Sequence, residues 1–179
     1  MKIDNCKLKI TRVLAVDPGY ERLGIAVLEK TEAGKSASAE GFGETRGQLV
    51  YSECFRTSPK TDHSKRLATI GQKIAEVILK YKPTECAIEN LFLQSNQKTA
   101  MAVSEAKGVI LSEVAKAGIS VFEYTPPQVK VATTGYGRSD KRQVTGMIKR
   151  LVVIDKKIKF DDEYDAIAVG VTHFASRRN

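Results

Sequence analysis

The first third of the chain carries short apolar runs and alternating segments, which are patterns of β-strands. The run RVLAVD (12–17) is apolar and ends in an acid, GIAVLEK (24–30) follows it after a Pro-Gly turn, and QLVYSECFRT (48–57) alternates. These segments predict three strands, the first two joined as a hairpin through residues 18–23. The polar, glycine-containing stretch 31–47 predicts a loop or a flexible hairpin tip.

From residue 62 the apolar positions change to helical spacing. Residues 62–81 predict an amphipathic helix with Asp62 as a candidate N-cap, and residues 98–117 predict a second helix that Gly118 ends. Short apolar segments at 85–90 and 119–124 predict further strands.

The last third predicts helices over residues 127–133, 140–152 and about 162–176. The order of elements is three strands, then alternating helix and strand, then helices. This order favours an α/β layered domain with a mixed sheet, in which the first strands are antiparallel and later ones are added by crossover connections.

Composition is that of an ordinary soluble domain, with 42% hydrophobic and 28% charged residues. No apolar run is long enough to span a bilayer, and the N-terminus lacks the apolar core of a signal peptide. We therefore expect a single domain over residues 1–179, located in the cytoplasm and without membrane contact. Cys6, Cys54 and Cys86 are odd in number and far apart, so we expect small buried hydrophobes rather than disulfides or a zinc site.

The charge distribution points to a polyanionic partner. The formal net charge is +8, from 29 basic and 21 acidic residues. Basic residues dominate from Arg138 to Lys159, and acids then cluster in residues 161–165. A basic surface of this kind attracts nucleic acid through release of counterions.

Four acids are candidates for a shared site. Asp17 and Glu89 each end a predicted interior strand, and ligand sites of open α/β sheets collect at such strand ends. Asp162 and Asp165 are three residues apart in the first turn of the last predicted helix, so they share a face. Each acid alone also fits a surface position or a helix cap. Capping explains the neighbouring acids Asp161 and Glu163 well, but it explains Asp165 less well because the predicted buried stripe lies beside it.

A basic surface and a cluster of carboxylates conflict electrostatically unless a divalent cation neutralises the acids. Oxygen ligands suit Mg²⁺, and two such ions roughly 3.5–4 Å apart could serve in-line hydrolysis of a phosphodiester bond. The pattern therefore predicts a metal-dependent nuclease.

The same residues carry a resemblance to a known family. The chain resembles the RuvC-type Holliday junction resolvases, which have the ribonuclease H-like fold. The matching segments follow the order of the family: VLAVDPG (13–19), AIENLF (87–92), SEAKGVI (104–110), VFEYTPPQVK (121–130), GYGRSDKRQV (135–144) and DEYDAIAVGVTH (162–173).

This resemblance implies an α/β fold with a mixed five-stranded sheet flanked by helices. It also implies a crossover junction endodeoxyribonuclease that cuts four-way DNA junctions symmetrically during recombination and repair. Two Mg²⁺ ions, replaceable by Mn²⁺, would serve each active site, and the enzyme would act as a homodimer with a branch-migration helicase complex of the RuvA and RuvB type. The implied catalytic and metal-binding acids are Asp17, Glu89, Asp162 and Asp165.

The resemblance further implies that Phe92 stacks near the DNA branch point and that Lys130 and Lys141 contact the DNA backbone near the cut. The expected DNA-binding residues are Phe92, Lys107, Lys130, Arg138, Lys141 and Arg142. Lys107 stands where the family usually has arginine. The chain also departs from the family in YERLG (20–24), in a short N-terminal extension (1–10) and in the long 31–47 stretch. We expect His173 to be structural, since along the helix it lies roughly 12 Å from Asp165.

Three alternatives compete with this interpretation. Two are enzymes on a related fold, namely a nuclease that processes ribosomal RNA and a phosphotransferase of the actin and sugar-kinase group. The kinase alternative needs more glycine-rich phosphate loops and a second lobe. The third is a DNA-binding module without activity, which would have little reason to keep four acids where phosphate must approach.

Overall fold

The structure is a computed structural model, and it describes residues 10–31, 47–90 and 97–177. None of the helices in these ranges is long and apolar enough to cross a membrane. The elements are β1 (Ile10–Asp17), β2 (Arg22–Thr31), β3 (Gly47–Arg56), α1 (His63–Tyr81), β4 (Glu85–Glu89), α2 (Gln97–Lys116), β5 (Ser120–Tyr124), α3 (Pro126–Thr134), α4 (Lys141–Leu151), β6 (Val152–Val153) and α5 (Asp161–Ser176).

These elements form a mixed sheet with the strand order β5-β4-β1-β2-β3-β6. Strands β1, β2 and β3 are antiparallel neighbours, whereas β4 pairs parallel with β1, and β5 pairs parallel with β4. The predicted antiparallel start and later crossover strands are therefore confirmed, as is the α/β class.

The prediction of five strands is wrong, because the described residues alone form a sheet of six. The sixth strand, β6, has only two residues, and it pairs parallel with β3 at the edge of the sheet. It follows α4 without a gap, and Val152 is 4% exposed, so its apolar side chain looked like one more inward position of that helix. Two residues are too few for an alternating pattern to be recognised.

The two faces of the sheet support two separate hydrophobic cores. On strand β1, Val13 and Ala15 pack with α3, α4 and α5, whereas Leu14 and Val16 face α1 and α2. All four side chains are fully buried. This alternation is the period of two that a strand buried on both faces requires.

Helix α5 packs unusually close to the sheet. A Cβ atom on Gly170 would lie 2.5 Å from Leu28 Cδ1 and 3.1 Å from Ala15 Cβ, so any larger residue at this crossing would displace Leu28. This close packing brings the first turn of α5 to the carboxyl end of β1, where the site lies.

Candidate active site

Two carboxylates lie side by side because two parallel strands end together. In the register of β1 and β4, Val16 pairs with Ile88, so the acids that follow them, Asp17 and Glu89, are neighbours. Their carboxyl groups are close enough for each to shift the pKa of the other. The expectation that these two acids meet at one edge of the sheet agrees with this geometry.

The first turn of α5 reaches the same edge because position 24 has no side chain. A Cβ atom on Gly24 would lie 2.2 Å from the carbonyl oxygen of Asp162 and 3.2 Å from Asp17 Cβ. Gly24 lies opposite Asp17 in the β1–β2 hairpin. The glycine therefore lets the helix that carries Asp162 and Asp165 approach the strand that carries Asp17.

An open cleft of about 270 Å³ lies at this point. Three of the four predicted acids line it together with two of the predicted DNA-binding lysines. One of them, Lys141, places its Nζ 2.9 Å from Asp165 Oδ2 and 3.7 Å from Asp161 Oδ2. The lining residues are Asp17, Glu89, Pro126, Val129, Lys130, Lys141, Val144, Asp165 and Ala168.

The acids in the cleft are not easily ionised together. Burial, and then the charges of Glu89 and Asp165, raise the pKa of Asp17 well above its usual value. Burial also raises the pKa of Glu89 and of Asp165, although a hydrogen bond from Lys141 opposes the shift at Asp165. A bound divalent cation would remove both the repulsion and the cost of burying these charges, so this donor set fits a hard metal ion.

The side chains are nevertheless not arranged around a metal position. Across residues 10–31, 47–90 and 97–177, no group of three or more His, Cys, Asp or Glu side chains is placed to hold a metal ion. Asp165 accepts a hydrogen bond from Lys141, and the carboxyl groups of Asp17 and Glu89 face each other. Metal binding therefore requires some carboxylates to exchange their present partners.

Asp162 lies beside the cleft and does not line it. Its carboxylate is ion-paired with Arg22 and accepts a bond from Cys54 Sγ at 3.4 Å. Its negative charge still contributes to the raised pKa of Asp17. Sequence reasoning missed Arg22 and treated Cys54 only as a hydrophobe. Their contact with Asp162 joins residues more than a hundred positions apart, which no local pattern encodes.

The other predicted DNA-binding residues differ in exposure. Arg138, before α4, and Arg142, in its first turn, are exposed. Lys107 instead is 9% exposed and ion-paired with Glu123. Phe92 lies outside the described residues. No contact with DNA follows from these positions alone, so the DNA-binding set stays a prediction.

Glu163 is not the helix-capping surface acid that the sequence suggested. It is 5% exposed and accepts hydrogen bonds of 2.7 Å from both Ser52 Oγ and Lys156 Nζ. Although burial raises it, the pKa of Glu163 is held below its usual value by these bonds. The carboxylate thus ties α5 to β3 and to the segment before the helix. Asp161, by contrast, is exposed, as a capping acid should be.

His173 has no ring nitrogen free for a metal. Its Nδ1 lies 2.9 Å from Tyr124 Oη, and its Nε2 lies 2.6 Å from Glu85 Oε2. The side chain is buried, and Glu85 begins β4 at the end opposite to Glu89. These contacts agree with the structural role expected for this histidine.

Comparisons with known proteins agree with this geometry. The family model described as "Crossover junction endodeoxyribonuclease RuvC" matches residues 13–173. A protein of that name from Moorella thermoacetica is 42% identical over 161 residues, covering 90% of this chain and 89% of the relative. Another from Petrotoga mobilis is 39% identical over 167 residues, covering 93% of this chain and 95% of the relative.

Solved structures point the same way. Thermus thermophilus RuvC in complex with a Holliday junction substrate superposes with a TM-score of 0.80 at 28% identity, covering 93% of this chain and 94% of that one. The yeast mitochondrial Holliday junction resolvase Ydc2 shares the fold, with a TM-score of 0.62 at 10% identity and coverage of 97% and 83%. The family match spans every segment on which the resemblance rested, which the RNA-processing and phosphotransferase alternatives do not explain. The chain therefore belongs to the RuvC family of crossover junction endodeoxyribonucleases.

Proposed function

We propose that this chain resolves four-way DNA junctions by metal-dependent hydrolysis of phosphodiester bonds at the cleft between β1, β4 and α5. The observation that carries the proposal is the meeting of Asp17, Glu89 and Asp165 in one cleft whose wall also holds Lys130 and Lys141. This arrangement supports the proposal, because carboxylates are suited to bind a metal and ammonium groups are suited to bind a phosphate. The RuvC of T. thermophilus, whose structure was solved in complex with a Holliday junction substrate, supports junction DNA as the substrate.

The acids would hold two Mg²⁺ ions, which Mn²⁺ could replace. Asp17, Glu89 and Asp165 supply ligands from within the cleft, and Asp162 joins them from beside it. When bound, the ions would lower the pKa of a bound water and neutralise charge on the attacking and leaving oxygens. Asp165 is now paired with Lys141 and Asp162 with Arg22, so these two basic side chains would become available to a phosphate if the acids bound metal.

The basic residues would bind and orient the DNA. Lys130 and Lys141 project into the cleft and would hold the backbone beside the cut, while the exposed Arg138 and Arg142 extend the positive surface along the start of α4. Phe92 would stack on a base near the branch point, as the family pattern implies. Contacts of this kind gain affinity by counterion release and should weaken with added salt.

Symmetric cutting requires two active sites. We therefore propose a homodimer that places one cleft on each of two opposed strands, working in the cytoplasm with a branch-migration complex of the RuvA and RuvB type. One chain supplies one acid cluster, so the two nicks of a resolved junction need a second copy.

The proposal is tested with a synthetic four-way junction and a linear duplex of matching sequence, each incubated with protein and Mg²⁺, Mn²⁺ or Ca²⁺. We expect paired nicks in the junction with Mg²⁺ or Mn²⁺ and little cleavage of the duplex. Asp17→Asn and Asp165→Asn should abolish cleavage and leave binding to the junction intact.

Two outcomes would contradict the proposal. A wild-type protein that binds junctions but cuts none under varied metal and sequence conditions would be the DNA-binding module without activity. If Asp17→Asn lost junction binding to the same extent as cleavage, Asp17 would have a structural role and not a catalytic one.

A further inference from the structure

One basic residue of the predicted DNA-binding set faces the protein instead of the cleft. The side chain of Lys107 in helix α2 is only 11% exposed. Its Nζ lies 2.6 Å from Glu123 Oε2 and 3.2 Å from Asn90 Oδ1. Lysine is rarely buried to this degree unless it is paired, and here both partners are protein groups.

The two partners of Lys107 lie at the carboxyl ends of adjacent strands. Asn90 directly follows Glu89, and its backbone N–H donates to the carbonyl oxygen of Tyr124 at 2.7 Å. Glu123 precedes Tyr124 in β5 and pairs with Ile88 of β4. The ammonium group therefore joins the end of β4, the end of β5 and helix α2 at one point, one residue from a proposed metal ligand.

The helix that carries Lys107 is anchored in the core. Ala106 and Ile110, which flank Lys107 on helix α2, are fully buried in the core on that face of the sheet. The helix thus has a fixed position from which the lysine reaches Asn90. A side chain anchored in this way holds its partner within a narrow range of positions.

The same contacts argue against a DNA contact by Lys107. Its charge is already matched by Glu123, and a phosphate could bind only by breaking a well-formed ion pair whose basic partner is mostly desolvated. Lys130 and Lys141 differ in this respect because both line the open cleft.

We infer that Lys107 is a positioning residue for junction cleavage: by holding Asn90 and Glu123 it keeps the Glu89 carboxylate beside Asp17, and it does not contact DNA. The inference rests on the cleavage activity proposed above. A small displacement of a reacting group is costly, since a shift of about 1 Å can lower a rate about 100-fold.

The experiment separates binding from cleavage. Junction affinity is measured with Ca²⁺, and the single-turnover cleavage rate is measured with Mg²⁺ at saturating protein. We expect Lys107→Met to lower that rate about tenfold or more, with the dissociation constant changed by less than about twofold. Glu123→Gln should produce the same pattern, because it removes the same ion pair from the other side.

Two further variants test the mechanism. Lys107→Arg should retain most of the rate, since a guanidinium can reach both partners and arginine is the usual family residue. Lys116→Gln is the matched control, because it removes one positive charge from the same helix, where Lys116 pairs with Glu113 at the surface. This control should cleave like wild type.

Several results would overturn the inference. A dissociation constant raised about tenfold in Lys107→Met, with the saturating rate unchanged, would make Lys107 a DNA contact. A wild-type cleavage rate in both Lys107→Met and Glu123→Gln would show that the ion pair does not position any group required for cleavage. If Lys107→Met does not fold, Glu123→Gln decides between these outcomes. A wild-type protein that never cleaves would instead overturn the proposed function, and this inference with it.

Discussion

Asp17 and Asp161 show how surroundings decide what an aspartate contributes. Asp17 is packed against two other carboxylates, and burial followed by their charge raises its pKa. The side chain of Asp161, only a few residues before Asp165, is 74% exposed and faces water. Burying the charge of Asp17 lowers the free energy of unfolding, whereas the exposed charge of Asp161 does not. Destabilising buried charges of this kind are typical of functional sites.

This contrast predicts that Asp17→Asn stabilises the protein when no divalent metal is present. Removing the buried negative charge should raise the free energy of unfolding by about 1 kcal/mol. Urea denaturation in EDTA measures the effect, and Asp161→Asn is the control that should leave the midpoint unchanged. Added Mg²⁺ should then stabilise wild type more than Asp17→Asn. An Asp17→Asn protein that is less stable than wild type in EDTA would contradict this account.

The sequence identified individual residues where a local pattern marks them. Asp17 and Glu89 could be predicted because each ends an apolar run, and the family pattern added Lys130 and Lys141. The partners of Asp162 and Glu163 could not be predicted, since the bonds to Arg22 and Ser52 cross more than a hundred residues. Such contacts depend on which elements meet in three dimensions, and hydrophobic periodicity does not carry that information.

At the scale of elements, two short helices present the lysines of the cleft, and each begins with a reciprocal cap. Helix α3 is capped by Thr125 and carries Lys130, whereas α4 is capped by Asp140 and carries Lys141 in its first position. In both helices the side chain of the capping residue accepts a hydrogen bond from the backbone N–H of the third helical residue. The side chain of that third residue in turn accepts a hydrogen bond from the backbone N–H of the capping residue. Caps of this kind fix where a helix begins.

Asp140→Ala should therefore lower the free energy of unfolding by about 1 kcal/mol. The measurement is chemical denaturation of the folded protein. Asp62→Ala provides a matched control, because Asp62 occupies the same position at the start of α1 but its side chain makes no capping hydrogen bond. Equal losses in the two variants would show that the cap of α4 contributes nothing specific.

Long periodic elements were predictable, and the shortest one was not. Helices α1, α2 and α5 have three or more turns with a buried stripe, so their ends fell within one or two residues of those predicted. Strand β6 exists only because β3 offers a free edge to which Val152 and Val153 can pair. Pairing with a distant edge is a tertiary event, which explains the missed sixth strand.

For the molecule as a whole, His173 joins three elements in one buried contact. It belongs to α5 and is bonded to Glu85 of β4 and Tyr124 of β5. Burial lowers the pKa of His173 below its ordinary value of 6.5, although the bond with Glu85 opposes the shift and Arg177 adds to it. His173 therefore binds a proton less readily in the folded protein than in the unfolded chain.

Because the pKa of His173 is lower in the folded protein than in the unfolded chain, the free energy of unfolding depends on pH. The contribution of His173 to stability is complete above the unfolded pKa near 6.5 and is lost as the pH falls toward the lower pKa of the folded state. We expect the free energy of unfolding to fall as the pH drops below about 6.5, and His173→Gln to show a smaller fall over the same interval. Denaturation curves across this interval measure both slopes, and parallel slopes would exclude His173 as the cause.

Helix α5 supplies core residues that are fully buried, among them Ala166, Ile167 and Val169, and it also carries Asp162 and Asp165. The other two acids come from β1 and β4, so the four are spread over almost 150 positions of the chain. Strand pairing brings Asp17 and Glu89 together, and only the docking of α5 adds Asp162 and Asp165 to them. The proposed active site would thus be completed by the same packing that completes the core, so a chain in which α5 has not docked would keep its basic residues but lack half of its proposed metal ligands.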